Sequence, residues 1–123
     1  MTAEKALEMA EELRPGEALT EALYKALTDM ENEIGEHMNR HVPATAEPRE
    51  ITEGNAGKEM RLPRRFEMAY VYRLMAERDR QMGEYDRYNN DAAIYNSMMK
   101  EWKAWYRREH RPKTDGRRNW RLI

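Results

Sequence analysis

Residues 85–112 read YDRYNNDAAIYNSMMKEWKAWYRREHRP, and the arrangement of the whole chain follows from them. Tyr88, Ala92, Tyr95, Met99, Trp102 and Tyr106 recur at steps of four, three, four, three and four, which sets them on one face of an α-helix. Ile94, Met98 and Trp105 form a second stripe beside the first. A helix this aromatic must cover its faces with other helices, another subunit, or both. The first stripe, with Tyr88, Tyr95 and Trp102, is expected to be core. The second is wider than one neighbouring helix needs, so Ile94, Met98 and Trp105 are assigned to a subunit interface. Asn89 and Asn90 mark a candidate break, since asparagine favours caps and turns.

Upstream, Pro63 stands where a proline can open a helix. Phe66, Met68, Ala69, Tyr70, Val71, Tyr72, Leu74, Met75 and Ala76 are apolar nearly all round, which predicts the central helix of the fold. Arg78, Asp79 and Arg80 are expected to make its far end polar, and Gly83 to close it. Before Pro63, residues 42–63 break every periodicity, with Pro43, Pro48, Gly54 and Gly57 punctuating a polar stretch. A loop longer than ~12–15 residues is usually functional or disordered, so a partner is expected to order this one. Arg49–Thr52 is its one candidate for a short strand.

At the N-terminus, Thr2 can cap a helix whose narrow apolar stripe is Ala3, Ala6, Leu7, Ala10 and Leu13, ended by Pro15-Gly16. Thr20 is the expected cap of a second helix running to about Asn39, with Leu19 and Tyr24 as a hydrophobic staple. Leu23, Ala26, Leu27, Met30, Ile34 and Met38 form its apolar face. Glu21, Asp29, Glu31, Glu33 and Glu36 form the opposite, acidic one. Past Pro112, Thr114-Asp115-Gly116 signals a turn, and Trp120 and Leu122 alternate with Asn119 and Arg121 as in a minimal strand. The predicted fold is therefore all-α, with about four helices. Residues 1–112 form one helical domain containing the loop 42–63, and residues 113–123 form an extended basic arm.

Composition narrows the function. Charged residues make up 37% of the 123, against a typical ~25%. Ten methionines supply an adaptable share of the apolar side chains. There is no cysteine, which excludes disulfides and thiolate metal sites and suits assembly in a reducing cytosol. No run of ~18 apolar residues exists, so no membrane span or membrane partner is expected. The opening residues read as an acidic amphipathic helix and not as a signal peptide. Residues 1–53 hold 13 acids and 5 bases, whereas residues 54–123 hold 10 acids and 17 bases. A chain polarised in this way can stack head to tail with its copies or turn its two ends to different partners. The alternative is that long charged helices simply solvate their outer faces.

Chemistry is hard to place. His37 and His41 stand at i, i+4 as in a helical metal pair, but His110 is the only further histidine. Histidine near a helix C-terminus is favoured by the dipole in any case. The acids are evenly spread, and neither a phosphate-cradling glycine loop nor a nucleophile–base set is visible. No catalytic residue, metal or cofactor is therefore assigned.

Tyr85-Asp86-Arg87-Tyr88-Asn89-Asn90, then Tyr95-Asn96 and Trp105-Tyr106-Arg107-Arg108, followed by His110 and Pro112, carry a resemblance. Together with Leu62-Pro63, Phe66 and the Ala69-Tyr70-Val71-Tyr72 block, they resemble small phage proteins from Firmicutes genomes, the head–tail connector (adaptor) family. The likeness spans roughly residues 62–112. Basic Arg64 and Arg65 stand where that pattern usually has an acidic residue. The resemblance implies a virion structural protein, assembled in the host cytoplasm, that forms a homo-oligomeric ring. Such a ring joins the portal protein to a tail-side connector or stopper protein and continues the channel through which double-stranded DNA passes without sequence-specific binding.

Within that picture, Glu21, Asp29, Glu33 and Glu36 are candidates to line the channel, where negative charge keeps DNA from sticking. Arg111, Lys113, Arg117, Arg118, Trp120 and Leu122 form a candidate partner-binding arm, able to add a strand to a sheet edge on the portal. Residues 107–123 hold 7 bases and 2 acids. They equally suit an alternative reading, a small helical nucleic-acid-binding or regulatory protein that uses its basic C-terminal half.

Overall fold

The computed structural model describes residues 1–111. Four α-helices carry the fold: α1 (Ala3–Leu13), α2 (Thr20–His41), α3 (Met68–Gln81) and α4 (Tyr85–Glu109). Two single 3-10 turns, Glu53–Asn55 and Arg64–Phe66, lie between α2 and α3. The all-α class expected from the sequence is observed. Among the described residues the only β-type pairing is an isolated bridge between Thr2 and Glu59, so Arg49–Thr52 forms no strand.

Being apolar almost all round places α3 at the centre, where α1, α2 and α4 all touch it. Ala69, Tyr70, Val71 and Leu74 are wholly buried there. Leu23, Leu27, Met30 and Ile34 of α2 and Met99, Trp102 and Tyr106 of α4 close over them. Against this core α1 lays its alanines, Ala3, Ala6 and Ala10, whose small side chains let the helix approach closely. Thr2 caps α1 as expected, its hydroxyl accepting from the Lys5 N–H at 3.1 Å.

Several boundaries differ from the sequence expectation. Thr20 is the first residue of α2 and not its cap; Leu19 takes the cap position, 72% exposed, so no staple forms. The Leu19 N–H is met instead by Gln81 Oε1 at 2.7 Å, a tertiary partner that replaces the local cap. The helix continues past Asn39 to His41. Pro63 opens the 3-10 turn, and α3 begins only at Met68. Asn89 and Asn90 do not interrupt α4, because the helix on both sides is fastened to α3. On α4, Trp102 is buried as expected, whereas Tyr88 and Tyr95 are only half-buried. At the polar far end of α3 Arg80 is exposed as expected, whereas Glu77, Arg78 and Asp79 are buried.

The largest departure is the loop 42–63, which this chain orders by itself. Asn39 exchanges two 2.8 Å bonds with the Ala46 backbone, and Asn32 does the same with Arg49 at 2.9 and 3.0 Å. Thr28 Oγ1 accepts from the Ile51 N–H at 2.9 Å. Residues 28, 32 and 39 share one side of α2, so the loop runs back along the helix on a ladder of side chains that stand in for a missing strand. Its apolar residues Ile51, Ala56, Met60 and Leu62 then drop into the core.

Candidate interface surfaces

Glu31 is the polar centre of this arrangement and the clearest correction to the acidic face assigned to α2. It is 0% exposed. Tyr70 donates its hydroxyl to Oε2 at 2.5 Å, the Arg61 N–H donates to Oε1 at 3.0 Å, and Arg49 Nη1 reaches Oε1 at 3.0 Å. Tyr70 accepts in turn from the Leu62 N–H at 2.8 Å. Burial first, then the neighbouring Glu31 charge, holds the Tyr70 phenol protonated far above its ordinary range. The site ties the loop to α2 and α3 and is closed to solvent.

The other acids of α2 do face outward. Glu21, Asp29, Glu33 and Glu36 are exposed, though Asp29 pairs with Lys25 at 2.9 Å and Glu33 with Lys103 of α4 at 3.4 Å. Glu21 and Asp29 border a groove of about 900 Å³ between α2 and residues 48–53, with Tyr24, Thr28 and Ile51 also in its lining.

Ile94, Met98 and Trp105 lie together along one edge of α4 and are half-buried. The Trp105 ring sits 5.5 Å from that of Phe66, and Met98 also leans on the core. Arg65 stands over the other ring of that pair, 5.2 Å from the Phe66 centroid. The 3-10 turn before α3 covers this edge at Trp105, and Ile94, Met98 and Trp105 remain half-buried. The sequence reading missed Leu13, Leu19, Val42 and Tyr85, the most exposed large apolar residues among those described. Each sits at a helix terminus, and Leu13, expected on the apolar stripe of α1, is 49% exposed. Arg111 is exposed beyond the end of α4. Lys113, Arg117, Arg118, Trp120 and Leu122, with the turn and strand expected around them, lie outside the described residues.

His37 is buried against aromatic rings, 5.1 Å from Trp102 and 5.9 Å from Tyr106, with His41 at 4.8 Å. Burial, then the adjacent His41, holds its imidazole below the ordinary histidine range. His110 stacks on Tyr106 at 3.8 Å. These histidines act as aromatic filling where α2 and α4 end together, and no group of metal-binding side chains is found among the described residues.

A second buried charge cluster joins α1, α3 and α4. Asp79 and Asp91 are 0% and 1% exposed. Arg14 Nη2 donates to both Asp91 oxygens, at 3.3 and 3.1 Å, and Arg14 Nε lies 3.3 Å from Asp79 Oδ1. Burial, then hydrogen bonding and charge repulsion with Asp91, pushes Asp79 up to about 7.

No protein-family model matches the chain, and neither a curated protein nor a solved structure matches it.

Proposed function

We propose that this protein is a non-enzymatic structural adaptor of a phage virion, a head–tail connector that forms a homo-oligomeric ring between the portal and tail-side proteins. The observation that carries the reading is the edge of α4. There Ile94, Met98 and Trp105 form a continuous apolar strip, covered on one side by Phe66 and open on the other. An aromatic strip of this kind suits burial by a second copy. The exposed acids Glu21, Asp29, Glu33 and Glu36 lie together on the outer side of α2, as lining of a DNA channel would require. The family resemblance over residues 62–112 supplies the identity of the partners.

Sedimentation of the purified chain tests the ring directly. Oligomers are expected at high concentration, and Met98→Asp should return them to monomers while leaving the helical circular dichroism in place. A wild-type chain that stays monomeric, and that immobilised portal fails to capture, would end the proposal. Removal of residues 114–123 is expected to abolish portal capture without unfolding the bundle; undiminished capture would remove the arm from the mechanism.

A second reading, nucleic-acid binding, is favoured by Lys100, Lys103 and Arg107, which share one side of α4 around a cavity of about 400 Å³. It requires duplex DNA to bind at ~50 mM salt and to be released steeply as salt rises. Absence of binding at low salt dismisses it.

A further inference from the structure

We propose that Asp79 and Asp91 share a single proton, and that this proton latches the first turns of α4 onto α1 and α3, loosening them as the pH rises. The geometry leaves little alternative. Two carboxylates and one guanidinium occupy the same buried junction, and Asp91 takes both of the Arg14 hydrogen bonds. Asp79 is left with two buried oxygens that accept from no donor among the described residues, because Arg14 Nε is near but misaligned. A wholly buried carboxylate without a donor is a costly state. A proton on Asp79 removes that state, since the carboxyl then donates to Asp91 and the three side chains become neutral as a set.

Among the described residues no other cation is placed to do this work. Arg78, the next residue on α3, is held by Glu11 of α1 and by the Gly16 carbonyl at 3.0 Å. Arg87 of α4 contributes only a weaker, more distant field. Glu77 is engaged by Arg80 and Gln81. The start of α2 meets this end of α3 through the Leu19 amide on Gln81. The backbone places the pair where a change in charge will be felt. Asp79 lies one turn before the Gly83 hairpin, its carbonyl accepting from the Glu84 N–H at 2.9 Å, and Asp91 lies in the second turn of α4.

The linkage has a definite sign. An unfolded aspartate loses its proton near 3.8, and the folded pair holds one up to about 7. Folding therefore takes up a proton between those values. This part of the stability is complete below the lower value, falls as the pH rises through the window, and is absent above the upper one.

Urea unfolding of the full chain from pH 4.5 to 8.5 reads the effect. The Asp79 contribution multiplies the unfolding constant by up to ~10 for each unit that the pH rises between the two values. Asp79→Asn, whose amide donates to Asp91 permanently, is expected to lose most of that slope and to be at least as stable as the wild type at pH 8. An unchanged slope in Asp79→Asn overturns the proposal. Carbon-13 NMR of the wild-type carboxyls gives a measurement independent of any variant. One aspartate should titrate well above the rest, and titration of every aspartate below pH 5 would overturn the shared proton. Amide exchange, corrected for its intrinsic pH dependence, should show residues 86–95 losing protection with rising pH while α2 keeps its own. Equal loss in both helices would overturn the latch.

Discussion

Glu31, expected on the acidic face of α2, is wholly enclosed because the chain returns to meet it. Its carboxylate collects Tyr70, Arg49 and the Arg61 N–H, three donors from two segments far apart in sequence. Tyr70→Phe should therefore cost about 1–3 kcal/mol, since it orphans the Leu62 N–H and leaves Glu31 Oε2 only the longer, 3.3 Å bond from the Arg61 N–H. The midpoint of urea unfolding measures it, and a change within error would show the pair to be incidental. Glu31→Ala should cost about 2–4 kcal/mol, by leaving the buried Tyr70 hydroxyl and the Arg61 N–H without an acceptor. The Tyr70 phenol should resist ionisation until the fold itself opens in strong base, which ultraviolet difference spectra would detect. The place of Glu31 beside the apolar stripe, four residues after Leu27 and three before Ile34, pointed to burial but not to these partners. Whether a carboxylate is solvated or enclosed depends on where the rest of the chain goes.

Single elements were the easiest to read. The four-three spacing of Met99, Trp102 and Tyr106 identified the buried face of α4, and the all-round apolarity of α3 identified its central place. Trp102→Ala is expected to cost about 3–5 kcal/mol by thermal or chemical unfolding. The turn between α3 and α4 was legible too. Gly83 has φ +74°, and a Cβ there would meet no atom within 4 Å, so backbone strain alone sets the cost of replacing it. Gly83→Ala should destabilise by about 1–2 kcal/mol, and Gly83→Asn by less, because asparagine tolerates the left-handed region better. Equal losses in the two variants would contradict a purely conformational cause. Element ends were harder to read. Leu19 is held by Gln81, 62 positions away, and such a partner overrides the capping preference of Thr20.

For the molecule as a whole, the loop 42–63 is a structural strap held by the chain's own side chains. Its amides at Ala46, Arg49 and Ile51 bond to Asn39, Asn32 and Thr28, and its apolar residues complete the core. These three amides should be protected from hydrogen exchange in the isolated monomer. Rapid exchange there would restore the view that a partner orders the loop. Ile51→Ala is expected to cost about 2–5 kcal/mol in the same monomer. Folding also blunts the charge polarity of the chain, since Glu33 of the acidic half meets Lys103 of the basic half.

Periodicity and turn chemistry alone determined the helical class, the four helices, the central place of α3 and the small-residue face of α1, because each depends on neighbours within a few positions. The apolar edge of α4 and the outward acids of α2 were likewise named from spacing, and the structure locates each of them among the described residues. Only the tertiary fold decided that Glu31, Asp79 and Asp91 would be enclosed, that the loop would bind back along α2, and that Phe66 would pack against Trp105. These outcomes require groups tens of residues apart to meet, and a side chain records its own polarity but not the partner that will desolvate it.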